Sequence, residues 1–170
     1  EGYYCSICGG IPPDKITTKR VLIDGKDISR TEGRERRRLL RRIGVTFQSS
    51  ALFGSFSLVR NVRLPLEELT DLPGDAMNLI AAMKLKAVGL DGFGDYLPAE
   101  LSGGMRKRAS LARAMAMDPE ILFLDEPTVG LDPVTAKGMD RLILQLADVL
   151  KATFIVVTHE LPSIYGIADR

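Results

Sequence analysis

The sequence contains no loop of the form G-x-x-x-x-G-K-[ST], which removes the commonest way for a single chain to cradle nucleotide phosphates. Histidine occurs once, as His159, and cysteine twice, as Cys5 and Cys8 in a lone C-x-x-C. A structural zinc site needs four ligands, and no second cysteine pair or histidine cluster supplies them. The flanks of the C-x-x-C lack the βαβ context of a thioredoxin-like motif, so these read as incidental thiols of a reducing compartment. Excess charge is missing too. The 23 basic and 22 acidic residues leave a net charge of +1, so no global field recruits nucleic acid or an anionic membrane. No apolar run approaches the roughly 18 residues of a membrane span, and no signal peptide is recognisable. The expectation is a cytosolic chain.

What is present suffices for one domain: 170 residues, 45% of them apolar. Arg20–Ile28 reads as two short strands around an Asp24-Gly25 turn. Six arginines then crowd between Arg34 and Arg42. They predict a solvated helix face whose leucines turn inward, with a docking surface for acidic partners as the alternative. Ile43–Gln48 reads as a buried strand, and Leu52–Leu69 as mixed loop and short helix punctuated by Pro65. Met77, Leu79, Ile80, Met83, Leu85 and Val88 predict an apolar side on a helix from about Gly74 to Val88.

A second helix runs from Gly103 to about Met117, before Asp118-Pro119. Ile121–Asp125 is an apolar strand, Val134 to Leu150 a helix, and Thr153–Thr158 the last strand. Apolar strands alternating with helices predict an α/β fold, a parallel sheet covered on both faces. Ligands of such sheets bind at the strands' carboxyl ends, where Gln48, Asp125-Glu126 and His159 are expected to converge.

Each of these residues has a bland reading and a chemical one. Acidic residues close strands simply to meet solvent, but Asp125 can hold Mg²⁺ and Glu126 can polarise a water for attack on a γ-phosphate. His159 is either a solvated strand end or a donor to that phosphate. Gln48 is a strand cap, or an amide that orients water and completes a Mg²⁺ shell. Ser102-Gly103-Gly104 opens a helix, where backbone N–H groups and the helix dipole favour an anion. The arginines behind that opening read as a solvated face, and Leu101 as packing for the loop.

In order, "GVTFQ", "LSGGM", "ILFLDEP", "GLDP" and "VVTHE" resemble the Q-loop, signature motif, Walker B with catalytic glutamate, D-loop and switch histidine of ATP-binding cassette (ABC) ATPases. The resemblance covers the chain from about Val21 to Arg170. It implies a P-loop NTPase fold with a helical subdomain, ATP and Mg²⁺ as ligands, and a head-to-tail dimer with a second ATPase subunit. It further implies that Ser102, Gly103, Gly104 and Asp132 serve a nucleotide held mainly by the partner chain. Residues from Ser49 to about Arg60 would meet a membrane permease. Met105, where the signature usually ends in Gln, joins "NVRLPLEELTDLP" and "KLKAVGL" in resembling the ATPases of Mla-type lipid transporters. Those imply a Mce-type substrate-binding protein as a further partner and a place on the inner face of the bacterial inner membrane.

The resemblance divides the chain at about 20–48, 49–117 and 118–170. By the same register the P-loop and its strand belong before Ile7–Gly25, with Glu1 near the P-loop Ser or Thr. The expectation is that this stretch of chain does not hydrolyse ATP in cis, and that Thr153–Thr158 lacks a neighbour along one apolar edge. Two other readings stay open at this level: a non-catalytic scaffold that lends only its signature motif, and a soluble ABC protein of another kind.

Overall fold

Short apolar runs of β-branched and aromatic residues form the strands here, and the helices take their direction from where those runs bury their side chains. The computed structural model describes residues 22–23 and 25–167. Cys5, Cys8, the Ile7–Val21 stretch, Asp24 and the last three residues lie outside the described residues. The chain divides into two units, residues 1–39 and 40–170.

In the first unit β1 (Leu22–Ile23) pairs antiparallel with β2 (Lys26–Asp27), in register Leu22 to Asp27 and Ile23 to Lys26. Gly25 takes φ 76°, which a turn this tight requires of glycine. Asp27 caps the 3₁₀ turn Ile28–Arg30 by accepting from the Ser29 N–H at 3.1 Å. Helix α1 (Gly33–Leu40) exposes Arg34, Arg36, Arg37 and Arg38 and buries Leu39. The solvated arginine face is therefore observed there, although Leu40 stays exposed.

The second unit contains a parallel sheet in the order β3 (Ile43–Thr46), β4 (Ile121–Asp125), β5 (Thr153–Val157). Ile43, Ile121 and Thr153 lie side by side, and so do Thr46, Leu124 and Val156. Gly44, Thr46, Leu122 and Leu124 are buried on one face. On the other, Val45, Ile121 and Phe123 are half-buried, and Ile155 and Val157 are 40% exposed. Burial thus alternates along strands that read as uniformly apolar. Helix α4 (Gly103–Ala114) packs on the first face, against Gly44. A Cβ there would lie 2.3 Å from the Ala114 carbonyl oxygen, so the close approach needs glycine.

Residues 52–57 form a loop and helix α2 (Leu58–Leu69) follows, as expected of this stretch, but Pro65 does not punctuate it. Pro65 lies inside it and removes one helical N–H, a cost of about 3 kcal/mol. Leu58, Val62 and Leu66 are buried on one stripe of the same helix. At about 1.5–3 kcal/mol for each side chain, their burial outweighs the missing bond. Helix α3 (Gly74–Ala87) carries its apolar stripe on Met77, Ala81 and Leu85, at i, i+4 and i+8. Val88, just past its end, is buried, whereas Leu79 and Met83 are more than 60% exposed, contrary to the predicted apolar side. Helices α2, α3 and α4 pack on one another, and one hydrophobic cluster runs from them through Leu122 and Leu124 into α5 (Pro133–Leu150). Helix α6 (Leu161–Ile167) packs on α5.

Candidate functional site

Two groups of candidate residues emerge. The first gathers at the carboxyl ends of the strands. Asp125 is the last residue of β4 and pairs with Val157, the last of β5. Glu126 follows at φ 47°, a left-handed conformation that costs a side-chain-bearing residue of order 1–3 kcal/mol. Its N–H donates to the Val157 carbonyl at 2.8 Å, which carries the β4–β5 ladder one residue past the strand. That twist brings Glu126 Oε1 to 2.6 Å from His159 Nδ1. The Glu126 side chain is 15% exposed and the His159 ring 75% exposed, so one partner is anchored and the other projects outward. The hydrogen bond that the His159 ring donates to Glu126, and the charge of that carboxylate, hold the His159 pKa above the usual 6.5. Glu126 Oε2 is buried and has no partner among the described residues.

Gln48 lies two residues past β3 and is exposed. Its carbonyl accepts from Lys107 Nζ at 3.5 Å, and the same ammonium donates to the Glu126 carbonyl at 2.6 Å. Gln48, Asp125, Glu126 and His159 are therefore brought together as expected, by β4–β5 pairing and by a lysine of α4. Asp125 lines a small cleft with Thr46, Ser50, Lys107, Ser110 and Met139. Asp125 ends β4 and Gln48 lies two residues past the adjacent strand β3, and a carboxylate with an amide oxygen is a donor set that suits Mg²⁺. That ion takes one or two protein oxygens and fills its octahedron with water and phosphate. Among the described residues no group of three or more His, Cys, Asp or Glu gathers as a dedicated metal cage.

The second group stands at helix N-termini. Ser102 is the N-cap of α4, its Oγ accepting from the Met105 N–H at 3.2 Å. Asp132 caps α5, with Oδ1 accepting from the N–H groups of Val134 at 3.0 Å and Thr135 at 3.1 Å. Hydrogen bonding by Thr135 holds the Asp132 carboxyl below its usual pKa. Gly103 lies 3.7 Å, by its would-be Cβ, from Leu131, while a Cβ on Gly104 would meet Thr135 Cγ2 at 2.6 Å. Gly104 thus has a packing duty at the α4–α5 crossing besides any approach to phosphate. Leu101 is buried, as expected. No hydrogen bond or ion pair among the described residues joins this group to the strand-end group.

The expectation of a solvated basic face on α4 holds only in part: Arg106 is exposed, whereas Lys107, Arg108 and Arg113 are half-buried, and all four bond backbone carbonyls. Arg106 donates to the Leu101 carbonyl at 2.5 Å and Arg108 to Val88 at 3.0 Å. Arg113 donates to the carbonyls of Ala51 at 2.7 Å and Ser50 at 3.1 Å, and burial pushes its pKa down. Those two acceptors carry left-handed φ values of 45° and 65°. Arg41 and Arg42 follow α1: Arg41 is exposed, as the solvated reading expects, and Arg42 is half-buried. Arg41 donates to the Leu69 carbonyl, and Arg42 grips Glu120 through two nitrogens at 2.5 and 2.8 Å.

Three further polar residues carry no sequence signal. Buried Asn61 accepts from the Phe53 N–H at 2.8 Å and donates to the carbonyls of Phe53, Phe56 and Ser57, so it shapes the loop before α2. Ser163 on α6 donates to Asp140 on α5 at 3.0 Å and lies 3.3 Å from the Thr128 hydroxyl. Burial, with Glu160 assisting, raises the Asp140 pKa, while the Ser163 bond works against it.

Residues 5–129 match the family model described as ABC transporter. This chain belongs to the ABC transporter family. Among similar proteins, the intermembrane phospholipid transport system ATP-binding protein MlaF of Haemophilus influenzae is 45% identical over 149 residues, covering 88% of this chain and 56% of that protein. MlaF of Escherichia coli K12 is 41% identical over 96% of this chain and 60% of its own length. A probable ribonucleotide transport ATP-binding protein, mkl of Mycobacterium leprae, is 41% identical over 97% of this chain and 47% of its own length. The chain therefore spans less than two thirds of these relatives. Among solved structures, the dimeric post-hydrolysis cassette MJ0796 bound to ADP and Pi superposes with a TM-score of 0.77 at 30% identity, over 88% of this chain and 66% of that one. The fold is that of ABC ATPase cassettes.

Proposed function

We propose that this chain is part of the ATP-hydrolysing subunit of an ABC transporter that moves phospholipid, with Glu126 as its general base. The observation that carries the proposal is the Glu126–His159 pair, 2.6 Å apart and projecting from adjacent strand ends. A left-handed backbone and a buried carboxylate oxygen without a partner among the described residues coincide at Glu126, and general-base chemistry gives both a use. The Glu126 carboxylate takes a proton from the attacking water as the water's oxygen bonds the γ-phosphorus and the bond to ADP breaks. His159, with Nδ1 engaged by Glu126, retains Nε2 on its exposed side. The raised pKa favours the doubly protonated ring, so Nε2–H can donate to a γ-phosphate oxygen. Gln48 orients the water. Asp125 and Gln48 would hold Mg²⁺, whose charge when bound offsets the charge that develops on the transferring phosphoryl group.

Ser102, Gly103, Gly104 and Asp132 act on the nucleotide of a second ATPase subunit across a head-to-tail dimer. The dimeric cassette similar in fold supports that arrangement. Residues 49–60 are the face offered to a membrane permease, and a Mce-type protein completes the complex at the inner membrane. Phe53 is 53% exposed and stacks on Phe56, whose ring lies under Arg60 at 3.9 Å. The names of the MlaF relatives and Met105 in the signature support phospholipid as the cargo. The test is Glu126→Gln in the full-length protein, mixed with Mg-ATP and passed over a sizing column. The variant is expected to elute as an ATP-loaded dimer because binding survives loss of the base. A variant that elutes as monomer without nucleotide contradicts the proposal.

A further inference from the structure

We infer that Lys107 is a positioning residue: from the signature helix it holds the backbone of the same chain's Glu126 in the conformation that aims the catalytic carboxylate. This rests on Glu126 being the base. A left-handed φ on a residue with a Cβ persists only where its surroundings over-determine it. At Glu126 the constraints can be named. The N–H is bound to the Val157 carbonyl at 2.8 Å, the carbonyl to Lys107 Nζ at 2.6 Å, and Oε1 to His159 Nδ1 at 2.6 Å. The first bond is set by the sheet and the third by a histidine that is 75% exposed. Lys107 is the side chain that fixes the peptide on the far side of Glu126.

The same ammonium reaches the Gln48 carbonyl at 3.5 Å, so one cation bridges the exits of β3 and β4. Its neighbours do other things. Arg106 closes on the start of its own helix, Arg108 holds Val88, and Arg113 holds Ser50 and Ala51. Burial pushes the Lys107 pKa down, with Glu126, Asp125 and Glu160 opposing it. A lysine is not half-desolvated for solubility, and its partners here are two backbone oxygens beside the reacting groups. Lys107 lies five residues beyond Ser102, on the same rigid helix.

The test compares full-length parent, Lys107→Met and Lys107→Arg in steady-state ATP hydrolysis across ATP concentrations, with Glu126→Gln as reference. Methionine keeps the length and removes the donor, and arginine restores donors that can span two carbonyls. Lys107→Met is expected to lose about tenfold in kcat with KM for ATP within about twofold, since misaligning the base spares ground-state binding. Lys107→Arg is expected to recover most of the loss, which a packing defect would not do. Where Lys107→Met is insoluble, Lys107→Gln, with a shorter donor, carries the same expectation. Parental kcat in Lys107→Met, a loss confined to KM, or an arginine variant as impaired as the methionine one overturns the inference. Parental hydrolysis by Glu126→Gln would instead overturn the general-base reading beneath it.

Discussion

Gln48, Asp125, Glu126 and His159 follow strands, whereas Ser102, Gly103, Gly104 and Asp132 open helices. At the strand ends the local geometry is costly and incomplete. Glu126 is left-handed, one of its carboxylate oxygens is buried without a partner among the described residues, and Glu126 holds the His159 pKa above its usual value. At the helix ends the same kinds of group are satisfied: Ser102 and Asp132 each cap a helix, and Gly104 lets α4 meet α5. Left-handed residues and unpartnered buried atoms occur elsewhere in the described residues, at Asp118 and Asp140 for example, but at Glu126 the two coincide, and the proposed function gives that coincidence a use. The second region is a capped, packed surface, which the proposed function uses to present N–H groups to a phosphate that another chain carries.

The contrast predicts that the two regions fail differently. His159→Ala should lower ATP hydrolysis about 100-fold in the full-length protein, the scale for removing one donor to developing charge. Its thermal midpoint should stay near the parent's, because the ring is 75% exposed. A large drop in midpoint would make His159 a structural residue. Gly104→Ala should instead destabilise by about 1–3 kcal/mol, as the new methyl meets Thr135. Adding Thr135→Ala should return much of that stability in a denaturant titration. If the double variant regains stability but not activity, Gly104 also serves the nucleotide; if neither returns, the crossing is not what glycine protects.

The smallest effect is a titration shift. His159 in the parent should titrate above 6.5, followed by imidazole proton resonances, and Glu126→Gln should bring it back toward that value. Because the folded pKa is the higher one, the pair's contribution to stability is complete below about pH 6.5 and fades as pH rises through the folded value. An unchanged histidine titration in Glu126→Gln would break the link between the two residues.

Much of this was legible in the chain itself. The apolar runs at 43–46, 121–125 and 153–157 announce strands, and polar residues directly after them announce a sheet-end site. Pro65 misleads because local propensity argues for a break, while the buried stripe of Leu58, Val62 and Leu66 decides otherwise. Leu79 and Met83 mislead because hydrophobicity does not say which side of a helix finds a partner. The basic residues of α4 were the least legible. A charge pattern reports a polar face, and only the fold shows that bare carbonyls of Gln48, Ser50, Ala51 and Glu126 lie beneath it. Gly104 carries a motif reading and a packing reading in the same letter, and the α4–α5 crossing supplies the second.

The most direct test is the steady-state rate of ATP hydrolysis by full-length Glu126→Gln at saturating Mg-ATP. An amide cannot take the water's proton, so the rate is expected to fall at least about 100-fold while ATP binding persists. Hydrolysis at the parental rate would contradict the account: the strained, half-satisfied carboxylate at the end of β4 would not be the base.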